Sequence, residues 1–121
     1  MKLRIQGNSL RLRLTQKEVA LAGGGGRVES SIEFAPGCTL FYLLESSLSA
    51  SSMSAAFDGC AIRVTVPAHQ IKEWAESGLV GIEGQSPAGV QLLVEKDFKC
   101  LHRSVEQEPG AYPHPLMSPN S

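Results

Sequence analysis

Three residues of different ligand chemistry fall close together near the end of the chain: Asp97, Cys100 and His102. In an extended segment, a thiolate and an imidazole two residues apart can face one ion, with Asp97 or His114 as a third ligand. Zn²⁺ is the metal such a set would take. Zinc sites usually hold four ligands at recognisable spacings, and no Cys-x-x-Cys occurs here. The same pair also fits a nucleophile with its base. Lys96, Lys99 and a protonated His102 would all favour the Cys100 thiolate, making it the most reactive thiol. The plain alternative is a half-buried cysteine beside a surface histidine.

The second candidate is a set of guanidinium groups, Arg4, Arg11, Arg13 and Arg63. Guanidinium groups grip phosphate through paired N–H donors, so a row of them on a concave surface would hold a polyanion such as a phosphate or nucleotide. Glu29, Glu33, Glu83 and Glu95 alternate onto the same expected face. If they pair with the arginines, the face is ordinary solvated surface, each pair contributing from a few tenths to about 1 kcal/mol.

Other motifs point to structure. Phosphate loops precede a helix, whereas Gly23-Gly24-Gly25-Gly26 follows one, so only Gly26 of the run is expected to serve, as a left-handed helix cap, with Gly78 in the same place after the second helix. No serine sits in a Gly-x-Ser-x-Gly elbow. His69 is expected at the surface and Trp74 in the core.

The elements that would carry these residues come in two sets. Shifting the sequence by 52 residues lays Met1 on Met53, Gly7 on Gly59, Arg11 on Arg63, Gly26 on Gly78, Val28 on Val80, Gly37 on Gly89 and Leu40 on Leu92. Seven identities in the first forty positions exceed the roughly two or three that average composition gives by chance. Similar pairs such as Leu10 with Ile62, Leu12 with Val64 and Val19 with Ile71 support the same alignment. Each copy reads as strand, strand, helix, strand, strand. The strands are expected over 2–6, 9–14, 27–34 and 38–45, and over 53–57, 61–66, 79–84 and 90–96. Gly7 and Gly59 mark hairpin turns, and Leu10, Leu12 and Leu14 alternate with Arg11 and Arg13. Thr15-Gln16-Lys17-Glu18 matches a capping box, and Pro67 opens the second helix. Leu3, Ile5, Leu10, Leu12, Leu14, Val28, Ile32 and Phe34 share the face on which the helices should pack.

The expected fold is therefore α+β. It is a mainly antiparallel sheet of about eight strands from two tandem ββαββ repeats, with two short helices on one face, and closure into a barrel stays open. Repeat one takes residues 1–52 and repeat two 53–104, separated by the serine-rich stretch Ser46 to Ser52. Residues 105–121, with Pro109, Pro113, Pro115 and Pro119, read as an irregular tail.

Bulk properties narrow the function classes. Hydrophobic residues make up 42% and charged residues 19%, as in ordinary globular domains. A net charge of −1 weighs against a nucleic-acid partner. No apolar run approaches the roughly 18 residues that span a bilayer, so no membrane partner is expected. The odd count of three widely spaced cysteines, Cys38, Cys60 and Cys100, fits free thiols in a reducing cytoplasm.

The repeated order of strand, helix and three strands resembles the duplicated wide barrel of the CYTH-type triphosphate tunnel enzymes, whose helices lie outside and whose charged residues line the bore. That family opens with alternating metal-holding glutamates, where this chain has Lys2, Arg4 and Gln6. The resemblance therefore implies a polyanion-binding tunnel or a degenerate enzyme. The segments Lys2 to Leu14 and Val94 to His102 also resemble a family of uncharacterised small bacterial proteins, which implies a bacterial source and no known activity. In the absence of a catalytic constellation, the expected function is a non-enzymatic binding or interaction module, its partner a protein or a small anionic ligand. The alternatives are the polyanion tunnel and a metal-binding protein.

Overall fold

The computed structural model describes residues 1–98. Within them, every hairpin turns on a glycine that holds a positive φ: 57° at Gly7, 81° at Gly37, and 99° at Gly59 and Gly89. A side chain would be strained in that region, which is why glycine stands there. The hairpins so closed are β1 (Lys2–Gln6) with β2 (Ser9–Leu14), β3 (Val28–Ala35) with β4 (Cys38–Ser47), β5 (Ser54–Phe57) with β6 (Ala61–Pro67), and β7 (Gly81–Gln85) with β8 (Gln91–Lys96). Helix α1 (Gln16–Gly23) follows β2 and α2 (Ala68–Glu76) follows β6. The capping box forms as expected: Glu18 N–H donates to Thr15 Oγ1 at 3.3 Å, and Thr15 N–H to Glu18 Oε1 at 2.9 Å.

The eight strands and two helices make an α+β fold, but the strands do not form one sheet or close into a barrel. Sheet I has the order β1-β2-β8-β7 and sheet II the order β3-β4-β6-β5. The hairpins are antiparallel, and the two central pairs, β2 with β8 and β4 with β6, are parallel. Each sheet therefore joins one hairpin from each half. Substituting the strands of one half for those of the other turns β1-β2-β8-β7 into β5-β6-β4-β3, which is sheet II.

The two halves keep the 52-residue spacing only through their first hairpins and helices. Leu12 lies opposite Val94, and Val64 opposite Leu44, so β8 follows β4 at a spacing of 50. Val28 faces Leu44 and Ile82 faces Val94, which puts β7 at 54 from β3. The counterpart of buried Val28 is thus buried Ile82, whereas Val80, the match expected from the sequence, is 52% exposed. Two residues more between matched positions of α2 and β7, as from Ile71 to Ile82 against Val19 to Val28, and four fewer between those of β7 and β8, account for the change.

The glycine run also works differently from expectation. Gly25, not Gly26, takes the positive φ, at 92°. A Cβ on Gly26 would meet the half-exposed Leu21 side chain, which would have to move aside. A Cβ on Gly23 would lie 2.5 Å from Cβ of Ala75, so Gly23 lets α1 and α2 touch. Neither Gly26 nor Gly78 is a left-handed cap; α2 ends on Ser77 instead.

One core joins both sheets and both helices: Leu12, Leu14, Leu44, Val64, Val66 and Val94 from the strands, with Val19, Ala22, Ile71 and Trp74 from the helices. Helices of two turns are marginal alone, so this burial is what holds them. Trp74 is fully buried, and its Nε1–H donates to the Val80 carbonyl at 3.1 Å. Lys96 Nζ sits 5.8 Å from the ring centroid and donates to Ser77 O.

Candidate functional site

Strand pairing decides which of the expected anion ligands meet. Arg4 on β1 lies opposite Arg11 on β2, and Arg13 follows two residues on, so three of the four share the outer face of sheet I. Arg63 does not join them. Its strand, β6, belongs to sheet II because the halves exchange hairpins. Arg13 donates through Nε and Nη2 to Glu95 Oε1 at 3.0 and 2.9 Å, and Arg11 Nε approaches the same oxygen at 3.6 Å. On sheet II, Arg63 Nε lies 3.5 Å from Glu45 Oε2. Glu95 is the counterpart of Glu45 at the spacing of 50, so Arg11–Glu95 and Arg63–Glu45 are one pair made twice. These groups are partly exposed, where such bridges contribute about 0–1 kcal/mol each.

Of the expected metal ligands, Asp97 follows the end of β8 and lies 3.2 Å from Lys2 Nζ of β1. Cys100 and His102 lie outside the described residues, as does the expected tail at 105–121. Among the described residues no three His, Cys, Asp or Glu side chains cluster as a metal site. The CYTH-like tunnel has no counterpart there either, since the two sheets stay separate.

Cys38 and Cys60 are free and exposed beside the hairpin turns of sheet II. Asp58 Oδ1 accepts from the backbone N–H groups of Cys60 and Ala61 at 3.1 and 2.9 Å, which holds its carboxyl below the usual range. That carboxylate in turn raises the Cys60 thiol, by its charge and by accepting from Sγ at 3.6 Å. Cys60 is therefore poor in thiolate.

The feature that sequence reasoning misplaced is apolar. Ile5, Ile32 and Phe34 were expected under the helices, yet they are 60%, 47% and 70% exposed. They lie near the hairpin turns, away from the helices. On sheet II, Ile32 faces half-buried Leu40, and Phe57, 65% exposed, faces half-buried Ile62. Residues 31–38, from Ser31 through the turn to Cys38, are all exposed. The core-facing side of the described strands of this sheet carries no charged residue. The signal was present in the sequence: alternation in β3 and β4 runs past the point where the second half of the chain has already turned.

Residues 1–116 match DUF7009, a family of unknown function. The chain belongs to that family. The match runs through both halves, so the unit that recurs in the family includes both sheets. No curated protein matches the chain. No helix among the described residues is long and apolar enough to cross a membrane.

Proposed function

We propose that this member of the family is a non-enzymatic interaction module that binds another protein through the turn end of sheet II. The observation that carries the proposal is the charge-free apolar surface of Ile32, Phe34, Leu40, Phe57 and Ile62. Isolated exposed apolar residues are ordinary, but a contiguous group marks a contact surface. Such a surface suits the apolar part of a protein partner better than a small anion or a nucleic acid. The exposed thiols of Cys38 and Cys60 fit a reducing cytoplasm as the place of action.

The test is a titration of the full chain with the neutral apolar dye Nile red, followed by residue-resolved NMR shifts. Shifts should gather on Ile32, Phe34, Leu40, Phe57 and Ile62, and Phe34→Asp should abolish dye binding without changing the melting temperature by more than a few degrees. Shifts confined to other parts of the chain would refute the assignment.

A further inference from the structure

Resting on that reading, we infer that the partner presents an extended segment in which apolar residues alternate with Lys or Arg, and that this segment adds to sheet II as a fifth strand beside β3.

An edge strand leaves a row of backbone N–H and C=O groups without sheet partners, which another chain can use. Sheet II has two edges, β3 and β5. β5 is four residues long, while β3 is eight. No described residue pairs with the outer edge of β3, and its last five residues are all exposed. β1 and β7, the edges of sheet I, have five residues each, only some of them exposed. β3 is thus the longest and most exposed edge among the described strands.

Its side chains select the occupant. Successive residues of a strand point to opposite faces, so Ile32 falls on the apolar side while Glu29, Ser31 and Glu33 fall on the other. Glu29 is already near one cation: Arg27 Nη2 lies 3.6 Å from its Oε1. An added strand lies about 4.8 Å away and sets its alternate residues beside those of β3. Apolar residues on one side then cover Ile32 and reach Phe34. Residues on the opposite side meet Glu29 and Glu33, where Lys or Arg is favoured and Asp or Glu is repelled. The register of β3 with β4 shifts between Glu33 and Ala35, a bulge beyond which only Ala35 and Cys38 pair. Backbone bonding supplies affinity in this mode of recognition, and the alternating side chains supply the choice of sequence.

The experiment uses the full chain and two capped octapeptides, one alternating leucine with lysine and the other leucine with glutamate. Affinity is read by titration calorimetry at low and moderate salt, and the site by residue-resolved amide hydrogen exchange. The leucine–lysine peptide should bind at least about tenfold more tightly than the leucine–glutamate peptide, as two favourable cross-strand pairs in place of two repulsive ones allow. Salt should narrow the gap. Exchange should slow at alternate amides of β3 and leave β1, β5 and β7 unchanged. Replacing Glu29→Lys and Glu33→Lys together should reverse the preference while dye binding at the apolar surface persists. Equal binding of both peptides, or protection on another edge, would overturn the strand-addition inference and leave the apolar surface standing. If dye shifts also miss Ile32 and Phe34, the interaction surface itself falls.

Discussion

Replacing Trp74 tests the joint that binds the second helix to both sheets. The indole is fully buried, lies in the same core as Val66 and Ile82, and is tied by its Nε1–H to the Val80 carbonyl at 3.1 Å. Truncating a buried tryptophan to alanine costs about 3–5 kcal/mol through lost transfer energy and the cavity left behind. Loss of the hydrogen bond contributes about 1 kcal/mol within that range, because the Val80 carbonyl keeps a second donor, the Lys96 N–H at 2.9 Å. Trp74→Ala should therefore lower the unfolding free energy by about 3–5 kcal/mol. That is a large share of the 5–15 kcal/mol typical of natural domains. Trp74→Phe keeps most of the volume and loses the N–H, so it should cost distinctly less. The assay is urea denaturation followed by circular dichroism. Native emission near the blue end of the tryptophan range, resistant to iodide quenching, provides an independent check in the unmodified chain. A cost below about 1.5 kcal/mol for Trp74→Ala, with red-shifted and freely quenched native emission, would refute the placement of the indole in the core.

Gly23→Ala pits helix propensity against packing: propensity alone predicts a gain of about 1 kcal/mol, whereas the 2.5 Å approach to Ala75 Cβ predicts a net loss of about 1–3 kcal/mol as the helices separate. Urea denaturation gives the sign, and a gain would show that α1 and α2 do not touch there. Glu18 concerns pH. Burial raises its pKa, but this is outweighed by the Met1 ammonium at 2.6 Å, the Thr15 backbone N–H and the Thr15 hydroxyl, leaving the folded value below the ordinary 4.5. Its contribution is thus present above pH 4.5 and lost as pH falls through the folded value. Glu18→Gln should flatten the decline of melting temperature in that acid window and leave its slope above pH 6 unchanged; an identical acid limb in both proteins would count against the pairing.

Local chemistry made most of the fold legible. Gly7 and Gly59 announce their turns because a positive φ is tolerated there by little else. Thr15 and Glu18 announce a helix start because each satisfies the other's backbone. Alternation in Leu10, Leu12 and Leu14 shows which side of β2 is buried, and the structure agrees at Leu12 and Leu14. What escaped was non-local. Nothing within β2 or β8 says that they lie side by side and parallel, since the pairing joins residues some 82 positions apart, as at Leu12 and Val94. The same blindness placed Arg63 with Arg4, Arg11 and Arg13, because a face was inferred where there are two sheets. Insertions were hidden too: Val28 with Val80 is an identity in an ungapped alignment, but burial shows Ile82 in that place. Ile32 and Phe34 have the pattern of core residues, and pattern cannot tell whether the core extends that far.

We read the two halves as copies of one ancestral unit, and that reading explains where function should be sought. The equivalent contacts recur in pairs: Arg11 with Glu95 and Arg63 with Glu45, and buried Leu12 and Val64 each against a buried strand of the other half. Gly23 meets Ala75 at the spacing of 52, so each helix touches the other at the same turn. Contacts that recur in this way are what the fold needs. The features that do not recur are then free to have been shaped by something else. Chief among them is the β3–β4 hairpin, four residues longer between matched positions than β7–β8. Those residues add nothing to the buried core; they lengthen an edge strand and display Phe34 to solvent. An exposed phenylalanine on an extended edge carries a standing hazard of self-association. A hairpin that accepts that hazard without a gain in core burial is best explained by a partner that covers it.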